Sequence, residues 1–159
     1  MKKYLPVVLV LFLGLFSPII AAAQIAELDA YWAEVTRTVT EGDFEGYAAL
    51  YHPDAVLVFE GQGSTMPVAQ ALDGWKSGFE STLNGEMTAG VVFKFSQRLN
   101  DGTTAHEKGI FRYWYTPSGG EETVQYVHFE GLLVKKDGWI MLMEYQKTMA
   151  TEEEWAAMD

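Results

Sequence analysis

The sequence predicts an α+β fold: a curved antiparallel sheet wrapped around three helices from the N-terminal half, forming a cone with an internal cavity. Three observations predict it. Helical periodicity dominates residues 25–83, whereas alternation with a period of two dominates residues 88–147. The alternating region divides into four long segments at Asn100-Asp101-Gly102, Pro117-Ser118-Gly119-Gly120 and Lys136-Asp137-Gly138, each a turn signal. Strands of this length must twist and curl, and three helices are too few to fill the concave side.

The chain opens with Lys2 and Lys3, then an almost wholly apolar run from Leu5 to Phe16, a break at Ser17-Pro18, and Ala21-Ala22-Ala23. A basic start, a short apolar core and an A-x-A site predict a secretory signal peptide cleaved after Ala23. Residues 24–159 then form a single periplasmic or secreted domain. The apolar run is short for a bilayer span, so no stable membrane anchor is expected after cleavage, and without a cysteine no lipid-anchored form is expected either. The formal charge of -11 becomes -13 with the loss of Lys2 and Lys3, a balance that repels nucleic-acid phosphates and anionic lipid. The lack of cysteine also excludes a disulfide framework and a thiol nucleophile. Stability must come from packing, for which the full chain has five Trp, eight Tyr and nine Phe, of which one Tyr and two Phe leave with the signal.

Ile25, Leu28, Trp32, Val35 and Val39 recur at helical spacing and predict an amphipathic helix over Ile25–Glu41, stopped by Gly42. Asp43 is placed to cap a second, shorter helix carrying Phe44, Tyr47, Leu50 and Tyr51. His52-Pro53-Asp54 ends it, because the residue before a proline avoids helical geometry. A short strand follows at Val56–Phe59, then a Gly61-Gln62-Gly63-Ser64 loop. A third helix is predicted from Pro67, capped by Ser64 or Thr65, with Val68, Leu72, Trp75, Phe79 and Leu83 as its apolar stripe and Asn84-Gly85 as its stop. Strands are expected at Thr88–Leu99 and Thr103–Thr116, and Thr151 to Glu154 fits a capping box opening a terminal helix with Trp155.

The hairpin Glu122–Lys147 organises the sheet. Asp137-Gly138 signals its turn, with glycine expected to take the positive φ of a tight reversal. Tyr126, His128, Glu130, Leu132 and Val134 fall on one face of its first strand, and Val127, Phe129, Gly131 and Leu133 on the other. Neither face is plainly solvent-facing, so both are expected to be covered.

Gly42-Asp43-Phe44, the run Ala49-Leu50-Tyr51-His52-Pro53-Asp54-Ala55-Val56, and Asp137-Gly138-Trp139-Ile140 together resemble the NTF2-like superfamily, and most closely its SnoaL-like and DUF4440 branch. The resemblance covers essentially all of residues 24–159 and rests on structural motifs, so it implies the cone fold more sharply than an activity. Members include ketosteroid isomerases, dehydratases, epoxide hydrolases, polyketide cyclases and non-catalytic binding proteins. Family likeness also implies homodimers packed through the convex face of the sheet. By counting from the shared motifs, the tyrosine, base and oxyanion acid of the isomerases fall at Val35, Phe59 and Glu130. Only the last is a carboxyl, so an isomerase of that specificity is not expected.

Glu130 is the leading catalytic candidate. On an apolar face its carboxyl would titrate high enough for general acid or base work, and the alternative is an ion pair with Lys108 or Arg112. His128, two residues along the same face, could complete an acid/base pair, or could simply bond within the sheet. Glu60, where a strand leaves for the glycine-rich loop, could reach the cavity mouth or stay solvated. Tyr51, Trp75, Tyr113, Tyr126 and Tyr145 are candidates for the ligand-binding wall, apolar surfaces with polar tips. No H-x-H or C-x-x-C spacing points to a metal, no phosphate-loop or dinucleotide fingerprint points to a cofactor, and neither is expected. The expectation is thus an exported protein binding a small, partly apolar organic ligand, with cofactor-independent acid/base chemistry at Glu130 and His128. A non-catalytic binding or dimeric assembly module is the alternative.

Overall fold

The computed structural model describes residues 18–158. The expected basic start and apolar run lie outside them. Helix α1 spans Pro18–Glu41. It begins before the expected Ile25 and runs through the Ala21–Ala23 stretch where cleavage is expected. Among the described residues, no helix is long and apolar enough to cross a membrane. Leu28, Tyr31, Trp32, Val35 and Val39 are buried, one stripe of the helix turned to the sheet. Gly42 ends it at φ 71°, and a Cβ there would stand 2.5 Å from the Leu83 amide nitrogen and 2.6 Å from the Phe79 carbonyl oxygen. Only glycine fits this corner, which packs directly on the end of the third helix.

Helix α2, Phe44–Ala49, is capped by Asp43, whose carboxylate accepts the Gly46 amide at 2.9 Å. It is shorter than predicted. Strand β1 already starts at Tyr51 and runs to Phe59, so Tyr51 belongs to the sheet and not to a helix. Pro53 is tolerated because it lies in the irregular stretch between the Tyr51–Met141 and Val56–Met143 pairings, where the ladder is interrupted. A 3-10 turn, Glu60–Gln62, and Gly63 at φ 57° reverse the chain into β2, Ser64–Pro67. The predicted loop is therefore a short hairpin. Ser64 and Thr65 pair with β1 and do not cap α3, Val68–Leu83, whose N-cap is Pro67 without a side-chain bond.

The long strands are β3 (Met87–Asn100), β4 (Thr104–Pro117), β5 (Thr123–Lys135) and β6 (Trp139–Met149). The sheet order is β2-β1-β6-β5-β4-β3, antiparallel throughout except where β1 runs parallel to β6. Gly138 is not among the glycines at positive φ; Gly102 and Gly119, in the two preceding turns, are. The β5–β6 reversal is a three-residue turn in which the Lys136 amide donates to the Gly138 carbonyl at 2.9 Å, so no left-handed residue is needed at Gly138.

The helices α1, α2 and α3 fill one side of the curl. Facing them are Ala89, Val91, Phe93 and Phe95 of β3, Ala105, Glu107 and Phe111 of β4, and Val127, Phe129 and Leu133 of β5. A bulge between Phe95 and Gln97 breaks the alternation of β3 and brings Arg98 level with Glu107. Glu107, fully buried, accepts the Trp32 indole N–H at 2.5 Å and is ion-paired with Arg98, which also reaches Asp29 on α1. Rings close the layer, with Trp32 at 4.5 Å from Phe93 and 5.5 Å from Phe129. On the opposite side lies α4, Glu152–Ala156, with both halves of the expected capping box formed at Thr151 and Glu154. Its Trp155 packs 5.8 Å from Tyr126, and Lys94 donates to the Trp155 and Met158 carbonyls. Replacing Glu107 by Ala leaves the Trp32 N–H without an acceptor in the core and Arg98 with Asp29 as its remaining partner, so the variant should lose about 3 kcal/mol in denaturant unfolding. A loss within experimental error would show that this carboxylate does not hold α1 to the sheet.

Candidate functional site

The helices leave a cavity of about 470 Å³ inside the curl. Val35 and Val39 of α1, Phe79 of α3, Val91 and Phe93 of β3, and Phe111 of β4 form apolar walls. Exposed lining residues Gly74, Ser77 and Gln125 mark its mouth. A connected set of its polar groups centres on Glu144. Glu144 of β6, 9% exposed, accepts the Tyr51 hydroxyl at 2.5 Å and the Gln146 side-chain amide at 2.7 Å. Tyr47 and Tyr51 hydroxyls stand 3.0 Å apart. Because the Tyr51 proton goes to Glu144, Tyr47 is the donor in that pair, and the order is Tyr47 to Tyr51 to Glu144. Tyr31, also in the lining, donates to the Leu50 carbonyl at 3.3 Å.

Burial raises the Glu144 carboxyl above its ordinary value, and the bonds from Tyr51 and Gln146 offset only part of that. No described cation pairs with it. Burial likewise lifts the Tyr31, Tyr47 and Tyr51 phenols, so they remain hydrogen-bond donors. A carboxyl moved upward in a largely apolar hollow, steadied by two donors, is equipped to accept a proton from a bound molecule or return one to it.

The residues expected from the sequence divide between the two faces. Tyr51, Trp75 and Tyr113 line the cavity. The other five do not. Glu130 and His128 lie on the outer face of β5, and this corrects the expectation that they share a cavity wall. Lys147 donates to Glu130 at 3.0 Å, His106 Nε2 stands at 2.9 Å and Lys108 at 3.8 Å. Partial burial pushes Glu130 upward, but Lys147 and His106 outweigh it and hold the carboxyl below its ordinary value. The alternative ion pair with Lys108 forms in part; Arg112 instead reaches Glu122. His128 faces Glu154 of α4 at 3.5 Å, Tyr126 packs on Trp155, and Tyr145 carries Lys147 over its ring with Glu60 nearby.

Glu144, Gln146, Tyr31, Tyr47, Tyr115 and Gln125 also line the cavity and were not singled out for it from the sequence. A bulge explains the first. Leu132 pairs with Met143 but Leu133 with Met141, which leaves Leu142 as an extra residue. Met141 and Glu144 therefore share the inner face, where strict alternation would place Met143 and Tyr145. On β5 the signal was Gly131: a Cβ there would come within 3.2 Å of the Met141 methyl, which marks the crowded, inward side.

No protein-family model matches the chain, and no curated protein matches its sequence. Solved structures do. An NTF-2 like protein of unknown function from Shewanella oneidensis MR-1 superposes with a TM-score of 0.61 at 14% identity, over 78% of this chain and 98% of its own. The chain has the NTF2-like fold. A ketosteroid isomerase-like protein from Erwinia carotovora atroseptica aligns with a TM-score of 0.57 at 17% identity, over 82% of this chain and 95% of its own. A function-unknown protein from Mycobacterium tuberculosis gives 0.64 at 17% identity, over 86% and 78%. At these identities the likeness carries the fold alone, and the chemistry of this NTF2-like cone has to be read from its own side chains.

A carboxyl whose pKa is raised by folding contributes stability that is complete below its unfolded value and lost as pH rises through the raised one. Glu144→Gln removes that loss. The variant should melt above the wild type at pH 7, and the gap should close as pH falls below the ordinary value of 4.5. Thermal melts across this range test it, and a wild-type advantage at pH 7 would contradict a desolvated Glu144.

Proposed function

We propose that the protein binds a small, partly apolar organic molecule in the inner cavity and that Glu144 is the proton-transfer group there. The chemistry is cofactor-independent, of the isomerase, dehydratase, cyclase or hydrolase type. The observation that carries this is a buried carboxyl without a countercharge in an aromatic cavity of about 470 Å³, a size suited to a small ligand. The reading includes export. The basic start, apolar run and Ala21–Ala23 site support it, and mass spectrometry of the protein from a producing cell would show either a chain starting at Gln24 or an uncleaved one.

Homodimerisation through the outer face is a second reading, supported by an apolar row from Val56, 40% exposed, across Met143 to Leu132. Sedimentation equilibrium tests it, a monomer at micromolar concentration being the contrary result.

Gly78 offers a clean test of the cavity. It lies in the lining on α3, and a Cβ there would meet only the Met87 methyl, at 3.9 Å. Gly78→Leu should fill the hollow while improving helix propensity by about 1 kcal/mol. Binding of a neutral aromatic probe such as 2-phenylethanol, followed by tryptophan fluorescence, should weaken about tenfold or more in this variant. It should be unchanged in Glu130→Gln. The opposite pattern would move the site to the outer face.

A further inference from the structure

Three features of the cavity bear on the charge of its occupant. The first is the difference between the two buried carboxylates on the inner face. Glu107 is tied to Arg98, whereas Glu144 has only the neutral donors Tyr51 and Gln146. Each Glu144 oxygen accepts one of those bonds and keeps a lone pair for another donor. The second is that, among the described residues, no Lys, Arg or His lines the cavity. Lys147 borders an adjoining recess that shares Gln125 and Gln146 with the cavity, but its ammonium is held by Glu130 on the outer face. The third is the ring content: Tyr51, which bonds Glu144, packs with Tyr47, Tyr47 packs with Trp75, and all three line the cavity together with Tyr113. Aromatic faces are electronegative and attract cations, most strongly where water is excluded.

We propose that the ligand is an organic cation, an ammonium group on an apolar, ring-sized body, with the nitrogen against Glu144 and the body between the aromatic walls. This deepens the reading of the cavity as a binding site and rests on it. An anionic ligand would meet an uncompensated carboxylate and no cationic partner. A neutral ligand would leave the countercharge unsupplied. A cation is the one class that the carboxylate and the ring faces both attract, and the chain's net charge of -11 favours its approach.

The test compares three probes of similar shape against the folded wild type: 2-phenylethylammonium, 2-phenylethanol and phenylacetate, each titrated by calorimetry at pH 7. The ammonium should bind more tightly than the alcohol by on the order of tenfold, and the carboxylate should bind most weakly. In Glu144→Gln the ammonium should fall to the level of the alcohol, while alcohol binding persists. Alcohol or carboxylate binding as tight as the ammonium's in the wild type overturns the cation assignment and leaves the cavity as a binding site. An ammonium preference that survives in Glu144→Gln overturns the role given to that carboxylate. Failure of all three probes overturns both readings.

Discussion

Trp32, Glu107 and Arg98 hold α1 to the curled sheet by directed bonds, and the helix turns one stripe to both the packed core and the cavity. On the N-terminal side of Trp32, Leu28 packs into the core with Ala105, Leu133 and Trp139. On the C-terminal side, Val35 and Val39 line the cavity. The indole, the carboxylate and the guanidinium fix the helix on the sheet by directed bonds as well as by apolar contact, and one turn further on the Thr36 hydroxyl donates to the Val91 carbonyl at 2.9 Å. Gly42 completes the arrangement at the other end of α1, where absence of a Cβ lets the corner seat on α3.

Three glutamates on this sheet show how environment assigns roles to one side-chain chemistry. Glu107 is buried with a guanidinium and an indole donor and acts as a structural tie. Glu130 is half-surrounded by Lys147, His106 and Lys108 and is held as a carboxylate on the outer face. Glu144 is buried with hydroxyl and amide donors only, and burial moves it the other way. Desolvation dominates where no countercharge is near, and countercharge dominates where it is. Of the three, Glu144 is the one in the cavity lining.

The cone was legible in the sequence because each of its determinants is local. The Leu28–Val39 periodicity, the Asp43 cap, the Asn84-Gly85 stop and the glycine turns all act within a few residues. The site was less legible because it depends on which face of a strand turns inward. On β5 both faces carry apolar residues, for one packs on helices and the other partly on α4, so alternation alone did not separate Glu130 from Phe129. On β6 the bulge at Leu142 shifts the period by one residue and brings Glu144 inside; nothing in the local residue types announces that shift. Tyr51, Trp75 and Tyr113 lie in the lining as aromatic residues on inward-facing positions, whereas Tyr126 and Tyr145 have equal aromatic character and the opposite parity.

Carbon-detected NMR titration of the glutamate side-chain carboxyls measures this division directly. Glu144 should titrate above the ordinary value of 4.5 and Glu130 below it, in the same sample. Should Glu144 titrate at or below that value, the hollow is wet or contains a countercharge, and the inner carboxyl loses its claim to the site.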